Sequence, residues 1–433
     1  MSRFLKRVFG GAAKSGQAAT HANALEIPPE LIVRPGPPPA TKDLPRVSVV
    51  ILNLNGKHHL AGCFVSLAAL DYPKDRLEVI LVENGSSDGS VEEMRTKHAW
   101  VKLLVNPRNV GFSAGCNQGA AAADRPEVLV FLNNDMRVDP AWLKELVGPL
   151  VRRECAATTS KMFSWDGKLI NSAGGGMNFH GIGIQIGLDE PPHPRFDIPK
   201  KTLFACGGAM AIEAKVFREV GGFDEEFFAY YEDVDLGWRL WVQGYECRYV
   251  PSSVCWHHHS ATSKRLPPEM IRLLQVRNPL LACVKNYDDE NLRVLLGPLF
   301  ALALRRTWMM SGLHTEERSF RIEHAGDPAH GGVKRLLDKA RSAVNDTIAI
   351  KRTGAADLIA INDLLGRWEH WMKRRAAVQA RRKLPDEQIL RLFQKPRWCI
   401  EGERGYIELQ HSLFEFAGLE RLFPPDSLPD PKK

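Results

Sequence analysis

Nowhere in this chain does an apolar run approach the roughly 20 residues that a membrane-spanning helix needs. The longest, 294–304, is interrupted by Pro298 and closed by Arg305 and Arg306. It suits a buried core helix first and an interfacial element lying on a membrane second. Paired cysteines are lacking too: Cys63, Cys116, Cys155, Cys206, Cys247, Cys255, Cys283 and Cys399 are scattered, with no CxxC pair and no zinc-like spacing, which fits a reducing compartment. The basic N-terminus (Arg3, Lys6, Arg7) has too short an apolar run for a secretory signal, so the expected location is the cytoplasm. There is no GxxxxGK[ST] loop. Gly174-Gly175-Gly176 and Gly181-Ile182-Gly183 lack the strand before and the helix after that a dinucleotide fingerprint requires, and read as a flexible substrate-side loop. No repeat of fixed period is present. Charge is nearly balanced: 25% of residues are charged and the net charge is +7, which suits an anionic nucleotide, a phosphorylated acceptor or a membrane face without choosing among them.

What the chain does have is enough apolar residue, 44% of its 433 positions, to bury one large domain and a smaller appendage. Residues 1–45 form a basic tail and a linker rich in proline, from Pro28 to Pro45, which favours extended backbone. From Val47 short apolar runs (VSVVILNLN, LEVILVEN, VKLLVNP, VLVFLNND) alternate with helical patterns at 59–70, 90–98 and 113–123. That alternation predicts an α/β fold with a mainly parallel sheet covered on both faces. Ligands of such sheets collect beyond the carboxyl ends of the strands, and there the runs end in Asn53 and Asn55, in Glu83-Asn84-Gly85, in Asn106 to Asn109, and in Asn133-Asn134-Asp135. Beyond Lys264 the pattern turns helical. The basic run Lys373, Arg374, Arg375, Arg381, Arg382 and Lys383 reads as a solvated helix face before a contact for anionic lipid or glycan phosphate.

Three constellations can carry chemistry. Asp135 closes an apolar strand and is the first metal candidate, because a hard divalent ion that holds a diphosphate needs few protein oxygens. The bland alternative is a turn before a helix capped by Asp139 with Pro140 in its first position. Second, the stretch from Phe223 to Asp235 interleaves carboxylates with aromatics, and apolar spacing through Leu236, Leu240 and Val242 to Gly244 places Glu232, Asp233 and Asp235 in a helix's first turn. Those acids favour the helix dipole whatever else they do; here the aromatics suit a sugar ring and one carboxylate suits a base. Third, Cys255-Trp256-His257-His258-His259 follows YVPSSV, and an imidazole there can complete the coordination begun at Asp135. Cys206-Gly207-Gly208-Ala209 either admits a sugar close to the backbone or makes a tight packing corner.

In their order, VSVVILNLNG, VENGSSDGS, NVGFSAGCNQG, VFLNND, CGGAMAI, GGFDEEFFAYYEDVDLGWRL and CWHHHSATS resemble the family 2 inverting glycosyltransferases of the GT-A fold, in particular their rhamnosyltransferase-like branch. The likeness covers 47–264 and extends weakly into VRNPLLACVKNY, similar to that family's Arg-Asn segment. It implies a GT-A catalytic domain over 46–265, followed by a helical region over 266–433 that suits a membrane or an acceptor. Asn53 and Asn55 would meet the nucleoside, and Glu83 would replace the usual base-touching aspartate. Arg108, Asn109 and Gly111 would line the nucleotide pocket, and Asn117, Asn133, Asn134, Gly207, Gly208 and Asp224 complete the nucleotide-sugar set. Asp135 matches the last aspartate of the DXD motif, whose first is here Asn133. His257 matches the branch's metal-facing histidine, the ion being Mg2+ or Mn2+. Asp233, beside Glu232, matches the general base.

The implied reaction transfers a sugar, a deoxyhexose such as rhamnose by resemblance, from a dTDP-, UDP- or GDP-linked donor. The implied acceptor is a hydroxyl of a glycan or polyprenyl-diphosphate-linked molecule in cell-envelope polysaccharide biosynthesis. Absence of the QxxRW signature argues against long-chain polymerisation. A nucleic acid is not an expected partner. The expected location is cytoplasmic, with peripheral contact to the inner face of the cytoplasmic membrane. Two alternatives compete. A sugar-phosphate nucleotidyltransferase needs a glycine-rich, basic loop after its first strand, which Asn-Leu-Asn-Gly is not. A non-catalytic carbohydrate-binding relative would lack the base or a metal ligand.

Overall fold

Strand β1 (Val47–Asn53) is apolar without alternation because helices cover both of its sides. Val49 and Ile51 enter a core shared with α1 (Lys57–Ala68), and Val50 enters the opposite core. The structure, a computed structural model, describes residues 27–258, 266–313 and 350–423. After α1 come β2 (Leu77–Asn84), α2 (Ser90–Lys97), β3 (Lys102–Asn106), α3 (Phe112–Ala122), β4 (Val128–Asn133), β5 (Met136–Val138) and α4 (Trp142–Val151). Then follow β6 (Ala157–Ser164), β7 (Ile170–Ser172), β8 (Gly175–Met177), β9 (Gly183–Gln185), β10 (Lys200–Lys201), β11 (Ala209–Glu213), α5 (Ala214–Glu219), α6 (Glu232–Val242) and β12 (Cys247–His257).

The principal sheet runs β10-β12-β6-β11-β4-β1-β2-β3. Strands β4, β1, β2 and β3 are parallel, as the alternation predicts. Strand β11 lies antiparallel between β4 and β6, so the second half of the sheet is mixed. Helix α3 packs directly over β1 through its glycines: a Cβ at Gly119 would sit 2.3 Å from Val50 Cγ1 and one at Gly115 2.4 Å from Leu52 Cδ1. That close approach places the N-terminus of α3 at the carboxyl edge of the sheet.

Helices α7 (Pro268–Asn286), α8 (Asp289–Ser311), α9 (Arg352–Gly366), α10 (Trp368–Gln379), α11 (Asp386–Ile389) and α12 (Arg404–Phe416) follow. They share one core with the α3 and α6 side of the sheet, in which Trp238, Tyr287 and Phe393 meet edge to face. Each such fully buried side chain contributes about 1.5–3 kcal/mol. The run 294–304 lies within α8 and buries Leu295, Leu299 and Leu302, as a core helix does. Among the described residues no helix is long and apolar enough to cross a membrane.

Several expectations need correction. The glycine-rich pieces form the antiparallel pair β8–β9, packed so closely that a Cβ at Gly181 would meet the Pro279 carbonyl oxygen at 2.5 Å. They are a packing corner against α7 and not a flexible loop. The basic run is a solvated face only in part: Lys373, Arg381 and Lys383 are exposed, and the other three are engaged. Arg375, 2% exposed, donates to the carbonyls of Val284 and Tyr287, Arg382 donates to that of Asn286, and Arg374 pairs with Asp224. Three of these carbonyls belong to the last turn of α7 or its cap, which lack intrahelical partners and carry the negative end of the dipole. Helix α4 starts at Trp142, two residues beyond Pro140, with β5 before it and Asp139 Oδ1 accepting from the Ala141 amide at 2.9 Å. In the proline-rich linker, Leu31 and Leu44 are buried and Ile32 bridges to Lys200, so the part from residue 27 packs on the sheet. The tail before it and His259 lie outside the described residues. Cys63, Cys116, Cys155, Cys206, Cys247, Cys255 and Cys283 are free thiols.

Candidate active site

The strand ends are laced together by amides. Glu83, fully buried, accepts at Oε1 from Asn53 Nδ2 at 2.8 Å, and Asn53 Oδ1 accepts from Asn134 Nδ2 at 2.5 Å. Glu83 therefore lies beneath the mouth of the sheet and holds Asn53 and Asn134. Asn55, in the left-handed region at φ 50°, donates its amide to Ser86 and accepts from Ser87, which ties the loops after β1 and β2. Asn84 binds Asn109, Val110 and the Gly111 carbonyl. Asn109 Oδ1 also accepts from the Gly111 amide, and Arg108 stays exposed on the same loop.

Asp135 follows β4 and is 3% exposed. Its Oδ1 lies 3.2 Å from His257 Nε2, at the end of β12. His257 Nδ1 lies 2.9 Å from Asn171 Oδ1; an amide oxygen only accepts, so Nδ1 carries the hydrogen and Nε2 offers its lone pair toward the carboxylate. Asp135 Oδ1 has no hydrogen-bond partner among the described residues. A lone pair and a carboxylate oxygen facing each other are held together by a proton or by a cation, and the two compete. Burial would raise the Asp135 carboxyl, yet the His257 and His59 imidazoles hold it below its ordinary value. One carboxylate oxygen and one imidazole nitrogen fit a hard divalent ion whose remaining ligands come from a diphosphate. Among the described residues no group of three or more His, Cys, Asp or Glu side chains makes a complete metal cage.

Asp233 is held from two sides: Oδ2 accepts from the Gly207 amide at 2.9 Å and Oδ1 from the Val234 amide at 2.8 Å. Gly208 in turn accepts from the Asn133 amide at 2.9 Å. These bonds join the Asp233 loop to the strand end that carries Asp135. Burial pushes the Asp233 carboxyl upward despite its amide partners. Glu232 is pushed up to about 8, by burial first and by the Asp233 charge second, and its Oε2 is buried without a hydrogen-bond partner.

The neighbouring acids are otherwise engaged. Asp224 and Asp235 share Lys285 at 2.6 and 2.8 Å, Asp235 also pairs with Arg239, and Glu226 pairs with Arg367 and His370. Asn117 binds the Phe223 backbone and Glu225. Asp224 and Asn117 thus anchor the loop before α6. Phe223 and Phe227 are core residues, which leaves Phe228, Tyr230 and Tyr231 as the half-exposed aromatics shortly before Asp233.

That loop is strained. Phe228 has φ 61° and ψ −62°, and the Ala229 amide donates to the Phe227 carbonyl at 2.7 Å, a γ-turn of the unfavourable hand. Tyr230 and Tyr231 follow at φ 66° and 67°. Such residues cost roughly 1–3 kcal/mol each. The Phe228 carbonyl accepts from the Phe112 and Ser113 amides at 2.6 and 3.2 Å, so the first amides of α3 grip this loop. Gly111, at φ 91°, makes room for the loop before α6, since a Cβ there would meet Phe228 at 2.7 Å. Sequence reasoning missed Asn171 and His59, which carry no local signal, and passed over Asn84, whose position at a strand end was one.

Known proteins give this geometry its context. The model of the family described as Glycosyl transferase family 2 matches residues 48–221, and that described as Glycosyl transferase family group 2 matches 194–322. Residues 48–221 form a glycosyl transferase family 2 domain. The chain's likeness is to the rhamnosyltransferase-like branch. It is 29% identical over 229 residues to the N-acetylglucosaminyl-diphospho-decaprenol L-rhamnosyltransferase of Mycobacterium tuberculosis, covering 46% of this chain and 73% of that protein. It is 30% identical over 236 residues to the O-antigen biosynthesis protein RfbC of Myxococcus xanthus, covering 51% of this chain and 18% of that protein. Among solved structures, a mannosyltransferase from Pyrobaculum calidifontis in complex with GDP-Man and Mn2+ aligns with 82% of this chain and 87% of its own, at 17% identity and a TM-score of 0.42. The chain is thus a glycosyltransferase.

Proposed function

We propose that this family 2 glycosyltransferase is inverting and metal-assisted. In this reading it moves a sugar, rhamnose first among the candidates, from a nucleoside diphosphate to a hydroxyl of a glycan or polyprenyl-linked acceptor of the cell envelope. The observation that carries the reading is Asp233. It is half-buried, pinned by two backbone amides, and its partner Gly207 adjoins Gly208, whose carbonyl accepts from the Asn133 amide at the strand end before Asp135.

Asp233 accepts the proton of the acceptor hydroxyl as its oxygen attacks the anomeric carbon. The electrons of the anomeric C–O bond leave on the diphosphate, and configuration inverts. Asp135 and His257 would hold a divalent cation, Mg2+ or Mn2+, whose charge would stabilise that leaving group. Asn55 and Asn109 offer amides to the nucleoside and diphosphate, over Asn53 and Asn134, which are bonded to Glu83 and to each other beneath them. Gly207 and Gly208 leave room for the sugar beside the base. The lipid-linked acceptor rests on the M. tuberculosis relative, whose name specifies a decaprenol diphosphate. An acceptor of that class sets the enzyme at the inner face of the cytoplasmic membrane.

The test is nucleoside diphosphate release from a panel of dTDP-, UDP- and GDP-sugars with Mg2+ or Mn2+. Wild type should turn over one donor class, and Asp233→Asn should lose about 100-fold or more while keeping donor affinity. Undiminished turnover by Asp233→Asn would remove this carboxylate from the mechanism.

A further inference from the structure

Asn278 lies in the middle of α7, in the Arg-Asn segment and within residues 194–322 matched by the second family model, and is fully buried. Its Nδ2 is 2.9 Å from the Phe227 carbonyl, 3.0 Å from that of Ala229 and 2.8 Å from that of Tyr230. An amide nitrogen has two hydrogens, so three acceptors at these distances require at least one shared hydrogen. Next to it, Arg277 donates to the Glu226 carbonyl at 2.6 Å. The Phe228 carbonyl points the other way, onto the Phe112 and Ser113 amides. Every carbonyl from Glu226 to Tyr230 is thereby bound, four by α7 and one by α3, across a segment in which Phe228 and Tyr230 have positive φ, as does Tyr231 next to it. Asp233 stands two residues beyond Tyr231.

We infer that Asn278 is a positioning residue for the transfer reaction: α7 holds the strained loop 226–231 in the one conformation that aims Asp233 at the acceptor. The inference rests on the reading of Asp233 as the base. Strained backbone persists only where its surroundings over-determine it, and the Asn278 amide nitrogen binds three of these five carbonyls. Without that nitrogen, Phe228, Tyr230 and Tyr231 relax toward negative φ, and the start of α6 moves with them. The first helix beyond the catalytic sheet is then part of the catalytic apparatus and no mere appendage.

The variants are Asn278→Asp, which keeps the shape but turns an oxygen toward three carbonyls, and the milder Asn278→Ser. Both are measured as the full chain with the donor that the panel identifies, beside Asp233→Asn. The expected result is a fall in kcat of about 100-fold for Asn278→Asp, since misplacement by about 1 Å has that effect, with donor KM within about twofold of wild type. The acid limb of the kcat profile should move to lower pH as Asp233 gains contact with water. Amide hydrogen exchange should quicken at 227–231 while the interior of α7 stays protected. A folded Asn278→Ser with wild-type kcat, pH profile and loop protection overturns the inference, as does a loss confined to KM. If Asp233→Asn remains active, the base assignment fails first, and quickened exchange in the loop without loss of turnover would mark that case.

Discussion

Nε2 of His257 faces Oδ1 of Asp135 at 3.2 Å, and the Asn171 amide oxygen behind the ring fixes which nitrogen does so. Groups that orient a ligating imidazole typically account for 10–100-fold in metal affinity. Asn171→Ala is therefore expected to weaken Mn2+-dependent binding of a nucleoside diphosphate by about that factor, and Asp135→Ala by more. Calorimetry with and without Mn2+ reads both. Unchanged affinity in Asp135→Ala would take the cation away from this pair.

The Glu232–Asp233 pair predicts two pH effects. A base must be ionised, and burial raises the Asp233 carboxyl above its ordinary 3.8, so turnover should decline with acid at a higher pH than an exposed aspartate gives. Glu232 acts on stability. Its carboxyl is raised from 4.5 to about 8, so the unfolded chain loses this proton first as pH rises and the folded chain keeps it. Its contribution is whole below 4.5 and gone above about 8, because unfolding then relieves a buried charge. Glu232→Gln should flatten the fall in melting temperature between these limits, and a fall as steep as that of wild type would show that Glu232 is not its source.

Lys285, 2% exposed, neutralises both Asp224 and Asp235. Lys285→Met leaves two buried carboxylates to Arg374 and Arg239 alone and should cost about 3–5 kcal/mol, seen in chemical denaturation. Burial opposes the charge on both acids, but Lys285 and Arg374 hold Asp224 low, and Arg239 and Lys285 hold Asp235 low. Groups with depressed values stabilise the fold above the ordinary carboxylate range and lose that effect as pH falls through their own. Acid unfolding should accordingly begin at a higher pH in Lys285→Met than in wild type.

The first half of the sheet was legible because β1, β2 and β4 are buried on both faces and end in polar residues at one edge. The order of the motifs singled out Asp135, Asp233 and His257; in the structure Asp135 faces His257, and the Asn133–Gly208 bond ties the strand end before Asp135 to the glycines beside Asp233. Strand β11 was not, because AMAIE carries no sign of its direction or neighbours. Arg375 and Arg382 were misread for a related reason: their partners are the last carbonyls of α7, about 90 residues earlier, and such pairing leaves no local pattern. Asn278 stood in a segment noted only for its resemblance, and its function depends on three carbonyls some 50 residues away.

Gly111 offers a test of the other half of the grip on the base loop. Its φ of 91° is one that L residues rarely adopt, and a Cβ would lie 2.7 Å from both the Phe228 ring and its carbonyl oxygen. Backbone cannot yield as the far end of a side chain can, so Gly111→Ala either twists the start of α3 or drives the Phe228 carbonyl off the Phe112 and Ser113 amides. Strain and overpacking of this kind cost about 1–3 kcal/mol, a loss that denaturation would register. Turnover should fall further than stability implies, because the displaced carbonyl lies on the loop that leads into Asp233. A variant as stable and as active as wild type would show that the α3 contact is dispensable and that α7 alone holds the loop.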